Sequence, residues 1–318
     1  MPTARSAALI EKLKAKIENS AVLTLAALES WTFAGTALAV LGHPIGHSIS
    51  PPMHNAALAE MARADARFAT WEYFRFDVPP DDLPRALGLL HARKFRGVNL
   101  TVPHKILAFG RVAAVDPAAR DVGAVNTLLW TAAGWHGFNT DGHGLATAVR
   151  EDLGRELAGA HVILLGAGGA ARGAAVECLR QRCASLWIAN RTPENLATLL
   201  AALGPLAAGV PLRGFSPASP PSDLPASAVV INATSAGLRD TDPPPVDLTA
   251  LPNVAAVFDM IYNPPQTRLL RQAGFLGLPH ANGLGMLVHQ GARSLEIWSD
   301  APVPVAAMRV AARAALQP

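Results

Sequence analysis

From residue 36 onward, short apolar runs alternate with longer stretches whose apolar positions recur every three or four residues. That alternation is the pattern of strands separated by amphipathic helices. Residues 37–41 form a short apolar strand, and 51–62 read as a helix with Ser50 at the N-cap and Pro51 at its first position. Residues 71–78 alternate as a strand does, 81–93 are helical, and 97–102 form a strand ending at Pro103. The runs 124–130 and 135–138 are separated by a short Thr-Ala-Ala-Gly stretch and predict a hairpin, followed by a helix over 142–153. A second cycle begins at His161, with strand 161–165, helix 168–180, strand 186–189 and helix 193–203. A loop rich in Pro and Ser covers 215–225, and further buried strands fall at 228–231 and 255–258. Crossover-length segments after each β-run argue for a parallel, doubly wound sheet, so the predicted fold class is α/β in two successive units joined near residues 152–159. The first 35 residues stand apart: 8–17 is periodic and a second short helix follows, which predicts an appended helical extension.

Composition narrows the class of partner. Half of the 318 residues are hydrophobic and 16% are charged, which excludes a disordered polyelectrolyte. The 27 Lys and Arg exceed the 24 Asp and Glu by only three, and no basic run of five exists, so no nucleic-acid partner is expected. Cys178 and Cys183 are too few for a disulfide scaffold or a zinc site, and read as reduced core thiols of a cytoplasmic protein. No apolar run approaches the ~20 residues of a membrane span, because 21–41 is broken by Glu29 and Ser30. Glu11 and Glu18 among the first lysines match neither a secretory signal nor a transit peptide. The ten histidines are scattered without carboxylates or thiols at ligand spacing, so no metal is expected.

Chemistry concentrates in a few loops. Gly166-Ala167-Gly168-Gly169-Ala170-Ala171 follows an apolar strand and opens a helix, in the form that lets backbone approach a pyrophosphate. At the end of the next strand, where an acidic residue would hold the ribose of NAD, the chain carries Asn190-Arg191-Thr192. A guanidinium grips a 2′-phosphate that a carboxylate would repel, so the expected cofactor is NADP. In the first unit, Ser48 and Ser50 stand beside a helix N-terminus, where hydroxyls and amides can hold a carboxylate; a plain helix cap at Ser50 is the competing reading. Lys105 follows Thr101 just past a strand end, and Asn126 and Asp141 also fall at strand ends. Lys105 and Asp141 are candidates for an acid–base couple, although a lysine in such a place is more commonly a surface residue.

Taken in order, these segments resemble the shikimate dehydrogenase family from about residue 36 to beyond 298. The resemblance is carried by Gly42-His43-Pro44 through His47-Ser48-Ile49-Ser50-Pro51 to His54-Asn55, then Asn99-Leu100-Thr101-Val102-Pro103-His104-Lys105 and Gly123-Ala124-Val125-Asn126-Thr127. It continues through Asn139-Thr140-Asp141-Gly142, the glycine turn, Asn190-Arg191-Thr192, Asn232-Ala233-Thr234-Ser235, Asp259-Met260-Ile261-Tyr262-Asn263-Pro264 and Gly283-Leu284-Gly285-Met286 to Gln290. It implies reversible reduction of 3-dehydroshikimate to shikimate by NADPH in aromatic amino-acid biosynthesis. It also implies a substrate-binding unit over residues 36–145 and 285–318, and a Rossmann-like NADP-binding unit over 146–284. On the same ground Ser48 and Ser50 bind the substrate carboxylate, Thr101, Lys105, Asn126 and Asp141 surround its hydroxyls, and Tyr262 and Gln290 complete the set. Gly166 to Ala170, Asn190, Arg191, Thr192, Met260 and Gly283 serve the cofactor. Two departures bear on specificity. Pro193-Glu194-Asn195 stands where family members often carry a second basic residue, which opens NAD or dual use. Ser50 is retained where quinate-preferring relatives tend to carry Thr, which favours shikimate over a quinate/shikimate enzyme. A non-catalytic shikimate-binding paralogue is the third reading, and a homodimer is left open.

Overall fold

The computed structural model describes residues 21–317, so the helix predicted at 8–17 lies outside the described residues. The chain divides into two compact units, one built from Met1–Thr140 with Gly291–Pro318 and the other from Asp141–Gln290.

The first unit holds strands β1 (Val22–Thr24), β2 (Thr36–Gly42), β3 (Trp71–Asp77), β4 (Gly97–Leu100), β5 (Ala114–Val115), β6 (Thr127–Thr131) and β7 (Gly134–Phe138). They form one sheet in the order β1-β3-β2-β4-β6-β7-β5. Only the pairs β4–β6 and β6–β7 are antiparallel, and the second is the predicted hairpin. β2 lies between β3 and β4, and its apolar run Leu38 to Leu41 is buried throughout, as a strand covered on both faces requires. Residues 22–29, read above as part of a helical extension, contain β1 and a five-residue helix, Leu25–Glu29. β1 pairs in parallel with β3, and Leu28 is fully buried in the cluster of Phe76, Leu90 and Phe95. The apolar side chains there are reason enough to join the core.

One local expectation is corrected. Helix Ser50–Ala64 begins at Ser50 itself, Ile49 takes the N-cap position, and no side chain caps it. Pro51 thus occupies the second helical position, where its missing N–H is equally harmless. The C-terminal segment returns to this sheet. Trp298 is fully buried over Gly97 and donates its indole N–H to Leu128 O at 2.9 Å. Helix Val305–Ala315 packs along Ser50–Ala64.

The second unit is a six-stranded, wholly parallel sheet. Its strands are β8 (His161–Leu165), β9 (Ser185–Ala189), β10 (Leu212–Phe215), β11 (Val229–Asn232), β12 (Ala256–Asp259) and β13 (His280–Asn282), ordered β10-β9-β8-β11-β12-β13. The chain enters at β8 in the middle, runs outward to β10, and returns to build the other half from β11. Strand order therefore reverses between β8 and β11, the position where open α/β sheets leave a crevice beyond their strand ends. The edge strands β10 and β13 escaped the sequence reading because both are short and carry polar residues. Among the described residues no helix is long and apolar enough to cross a membrane, and no group of three or more His, Cys, Asp or Glu could hold a metal ion.

Candidate active site

In the first unit the candidate substrate residues follow the ends of the central strands. β2 and β4 are parallel neighbours, so the loops that leave them emerge side by side. The loop after β2 carries Ser48 and leads into Ser50 at the start of the next helix; both are half-buried, and the Ser50 N–H donates to Ser48 Oγ at 3.4 Å. Ser50 spends no side-chain bond on capping its helix. Its hydroxyl instead pairs with Tyr73, whose own hydroxyl donates to Asn99 Oδ1 at 2.8 Å.

The loop after β4 carries Thr101 and the short helix His104–Leu107. Thr101 lies over Gly42, so closely that a Cβ on Gly42 would collide with its hydroxyl. Lys105 is pinned through its backbone: its N–H donates to Thr101 O at 3.2 Å and its carbonyl accepts from the Val125 N–H at 2.9 Å. Its side chain is half-buried. Thr101 and Val125 thus fix the Lys105 backbone, and Thr101 itself lies against Gly42 at the end of β2.

Asn126 is 1% exposed. Its Oδ1 accepts from the Thr140 N–H and the Thr127 hydroxyl, both at 2.9 Å, and its Nδ2 donates to Thr140 Oγ1 at 3.0 Å. Ser294, from the returning C-terminal segment, joins this network through Thr127 at 2.7 Å and Asn99 at 3.0 Å. The sequence reading missed Ser294, since a serine in a helical stretch carries no signal of such a partner. Two buried histidines flank the site. His54 is stacked on Tyr73 and bonded to Ser50 O at 2.9 Å, and burial lowers its pKa to about 4. His104 pairs with Val78 O at 2.8 Å, and burial again holds it below its ordinary value against the opposing pull of that carbonyl.

In the second unit, half-buried Asp141 opens helix Asp141–Leu153. Gly144, one turn on, meets helix Leu284–Ser299 so closely that a Cβ there would lie 2.6 Å from Met286 O and 2.9 Å from Gln290 Cβ. This crossing brings Gln290 to the first turns of the helix that Asp141 begins. Tyr262 follows β12, and burial raises its pKa.

The glycine turn after β8 adopts the form its sequence suggested. Gly166 has φ +112° and sits against Ala233 and Thr234, where any side chain would be both strained and crowded. Helix Gly169–Arg180 begins with no side-chain cap, so its first amides face the turn. A cavity of about 370 Å³ joins Gly166, Ala167 and Gly168 to Asn190, Arg191 and Thr192 and to the 233–236 segment beyond β11. Asn190 Nδ2 donates to Thr192 O at 2.9 Å and fixes this turn, while Arg191 is exposed. The residues fit a dinucleotide phosphate: open backbone, uncapped amides and a cation at the far strand end. Asn195, from the segment where relatives often carry a second basic residue, also lines the cavity; Pro217 and Pro243 to Pro245 line it too and were not anticipated, Pro217 following β10, itself unpredicted. Met260 and Gly283 do not line it: Gly283 packs on the Met260 backbone and donates its N–H to Ile261 O at 3.1 Å. Asp259, buried beneath this end of the sheet, accepts from Asn232, Thr267 and the Ile261 N–H, and burial raises its pKa.

Residues 40–128 match the family model of the shikimate dehydrogenase substrate binding domain, and 283–313 that of the shikimate 5′-dehydrogenase C-terminal domain. A shikimate dehydrogenase (NADP(+)) of Symbiobacterium thermophilum is 42% identical over 290 residues, covering 89% of this chain and 95% of the relative. That of Moorella thermoacetica is 41% identical, covering 85% and 90%. The crystal structure of shikimate 5-dehydrogenase from Thermus thermophilus with NADP(H) and shikimate superposes with a TM-score of 0.77 at 36% identity, covering 88% of this chain and 100% of that one.

Proposed function

The chain belongs to the shikimate dehydrogenase family, and on that premise we propose which of its residues carry the reaction. The reaction is the reversible NADPH-dependent reduction of 3-dehydroshikimate to shikimate, which family membership places in aromatic amino-acid biosynthesis. Bound NADPH supplies the hydride for the substrate carbonyl carbon. The chain's own task is to stabilise the charge that grows on the carbonyl oxygen and to deliver a proton there.

Lys105 does both in this reading: its ammonium attracts the oxygen and gives it a proton, and in the reverse direction the amine takes the hydroxyl proton back. Asp141 is the carboxylate member of the couple. Ser48 and Ser50 hold the substrate carboxylate, and Thr101, Asn126, Tyr262 and Gln290 serve its remaining oxygens. The observation that carries the assignment is the pinning of the Lys105 backbone between Thr101 and Val125, past the end of β4, the parallel neighbour of the strand from which the serine loop emerges. The cofactor is NADP. Gly166 to Ala170 and Asn190 to Thr192 would hold it, with Arg191 on the 2′-phosphate; the cavity lined by Gly166 to Gly168 and Asn190 to Thr192 supports this, while Gly169 and Ala170 lie in the helix start behind it. Met260 and Gly283 stay in the set as backbone that shapes its neighbourhood. Residues 36–145 and 285–318 are assigned to substrate, and 146–284 to cofactor.

Initial rates with shikimate or quinate, each with NADP⁺ or NAD⁺, test the reading at the nicotinamide absorbance band. Shikimate with NADP⁺ should give the highest kcat/KM. Quinate at or above shikimate, or NAD⁺ at or above NADP⁺, would overturn the specificity, and no turnover with any pair would leave only a binding protein. We place the reaction in the cytoplasm, in keeping with free thiols at Cys178 and Cys183. Sedimentation equilibrium decides between a monomer and the homodimer that the sequence leaves open.

A further inference from the structure

Residues 43–49 form a loop without regular structure, yet they carry one of the two hydroxyls assigned to the substrate carboxylate and lead into the other. Such a loop binds an anion well only if something holds it in the binding geometry beforehand. β3 supplies that support. Tyr73, Arg75 and Asp77 alternate along the strand and so share one face of the sheet. Each grips a different point of the 43–50 segment. Tyr73 pairs with the Ser50 hydroxyl. Arg75 Nη1 donates to Gly46 O at 2.6 Å and to Ser48 O at 3.0 Å. Asp77 Oδ1 pairs with His43 Nδ1 at 2.5 Å.

Arg75 is the centre of this row and its one permanent cation. It binds the carbonyl of the residue whose hydroxyl is assigned to the substrate, so it sets the angle at which the loop presents that hydroxyl. Its charge also lies behind a loop read as taking an anion. Burial holds the Arg75 pKa below its ordinary value, a penalty that an anion at the loop would lessen.

We propose that Arg75 is a positioning residue for substrate affinity, which holds the 46–48 backbone so that the loop receives a carboxylate, with the His43–Asp77 pair as the loop's second anchor. The proposal rests on the assignment of Ser48 and Ser50 to the substrate carboxylate.

The test compares shikimate with its methyl ester, which removes the negative charge and keeps the ring hydroxyls. Arg75→Met, Arg75→Lys and Ser48→Ala are measured in full-length protein with saturating NADP⁺. Charge-assisted hydrogen bonds of this kind predict a KM for shikimate raised about tenfold in Arg75→Met, with kcat within about twofold. The KM for the ester should rise by less than about threefold, and Arg75→Lys, which keeps the charge, should recover much of the shikimate affinity. An equal rise for shikimate and ester, or a fall in kcat at constant KM, would overturn the proposal. Should Arg75→Met fail to fold, the same shikimate-to-ester ratio in Arg75→Gln, which keeps a donor and loses the charge, decides, with a selective loss for shikimate expected. The two readings fail differently. An unchanged shikimate KM in Ser48→Ala refutes the carboxylate site itself. A raised KM in Ser48→Ala beside an unchanged one in Arg75→Met keeps that site and refutes the role of Arg75.

Discussion

Replacing Arg191 by Ala should penalise NADPH and leave NADH nearly untouched. The two cofactors differ only in the 2′-phosphate, and Arg191 is the cation that the turn after β9 offers to the cavity. A hydrogen bond to a charged group contributes about 1.5–3 kcal/mol. Arg191 is exposed, and solvent screening keeps such a contact near the lower end of that range. About 1.5–2 kcal/mol corresponds to a loss of roughly 10- to 30-fold in kcat/KM for NADPH. The loss should be mainly in KM, because the 2′-phosphate is far in bonds from the reacting carbon and is held equally before and during reaction. Initial rates with each cofactor at saturating 3-dehydroshikimate give both ratios. Raising the ionic strength should shrink the difference between wild type and variant, as befits an exposed ion contact. If NADPH and NADH lose the same factor, Arg191 shapes the turn and does not read the phosphate. If neither loses anything, the choice of this turn as the phosphate site is wrong.

Asn195 lines the same cavity, so Asn195→Arg should restore the second cation and raise the NADPH-to-NADH ratio of kcat/KM about 3- to 10-fold; an unchanged ratio would refute its placement. Burial depresses the His54 pKa from 6.5 to about 4, so below pH 6.5 the unfolded chain binds a proton that the folded chain refuses. Stability should therefore fall as pH drops from 6.5 towards 4, by about 3 kcal/mol at about 1.4 kcal/mol per pKa unit. Denaturant titrations of wild type and His54→Gln across that window check it, and equal losses in both would show that the acid sensitivity lies elsewhere. Gly144→Ala presses a methyl group onto the backbone at Met286, and overpacking of this kind predicts a loss of about 1–3 kcal/mol with a raised KM through Gln290. A variant that melts with the wild type would show that the crossing yields freely.

Much of this protein is legible in its sequence where local pattern and tertiary structure agree. β2 and β8 are apolar runs because each lies between two parallel neighbours, and the glycine turn declares itself because only glycine tolerates φ +112° against Ala233 and Thr234. Lys105 and Asp141 were recognisable as strand-end residues, although the backbone contacts that pin Lys105 were not. What stayed hidden depends on distant parts of the chain. β1 joins the sheet through β3, some fifty positions away in sequence, and no short-range pattern distinguishes its three residues from a loop. Nothing in the sequence shows that the buried amide of Asn126 bonds Thr127 and Thr140, which only the folded hairpin brings into reach. The grip of Arg75 on Gly46 and Ser48 is equally invisible, since an arginine on a strand resembles any solvated cation until the loop lies across it.

The account as a whole depends on Lys105 acting on the reacting oxygen. Single-turnover and steady-state rates of Lys105→Ala with shikimate and NADP⁺ test that most directly. Proton transfer by a positioned group predicts a fall in kcat of at least about 10²-fold, with the KM for shikimate within about threefold of wild type. A variant that keeps its kcat and loses only KM would contradict the account and leave Lys105 as a substrate-binding residue.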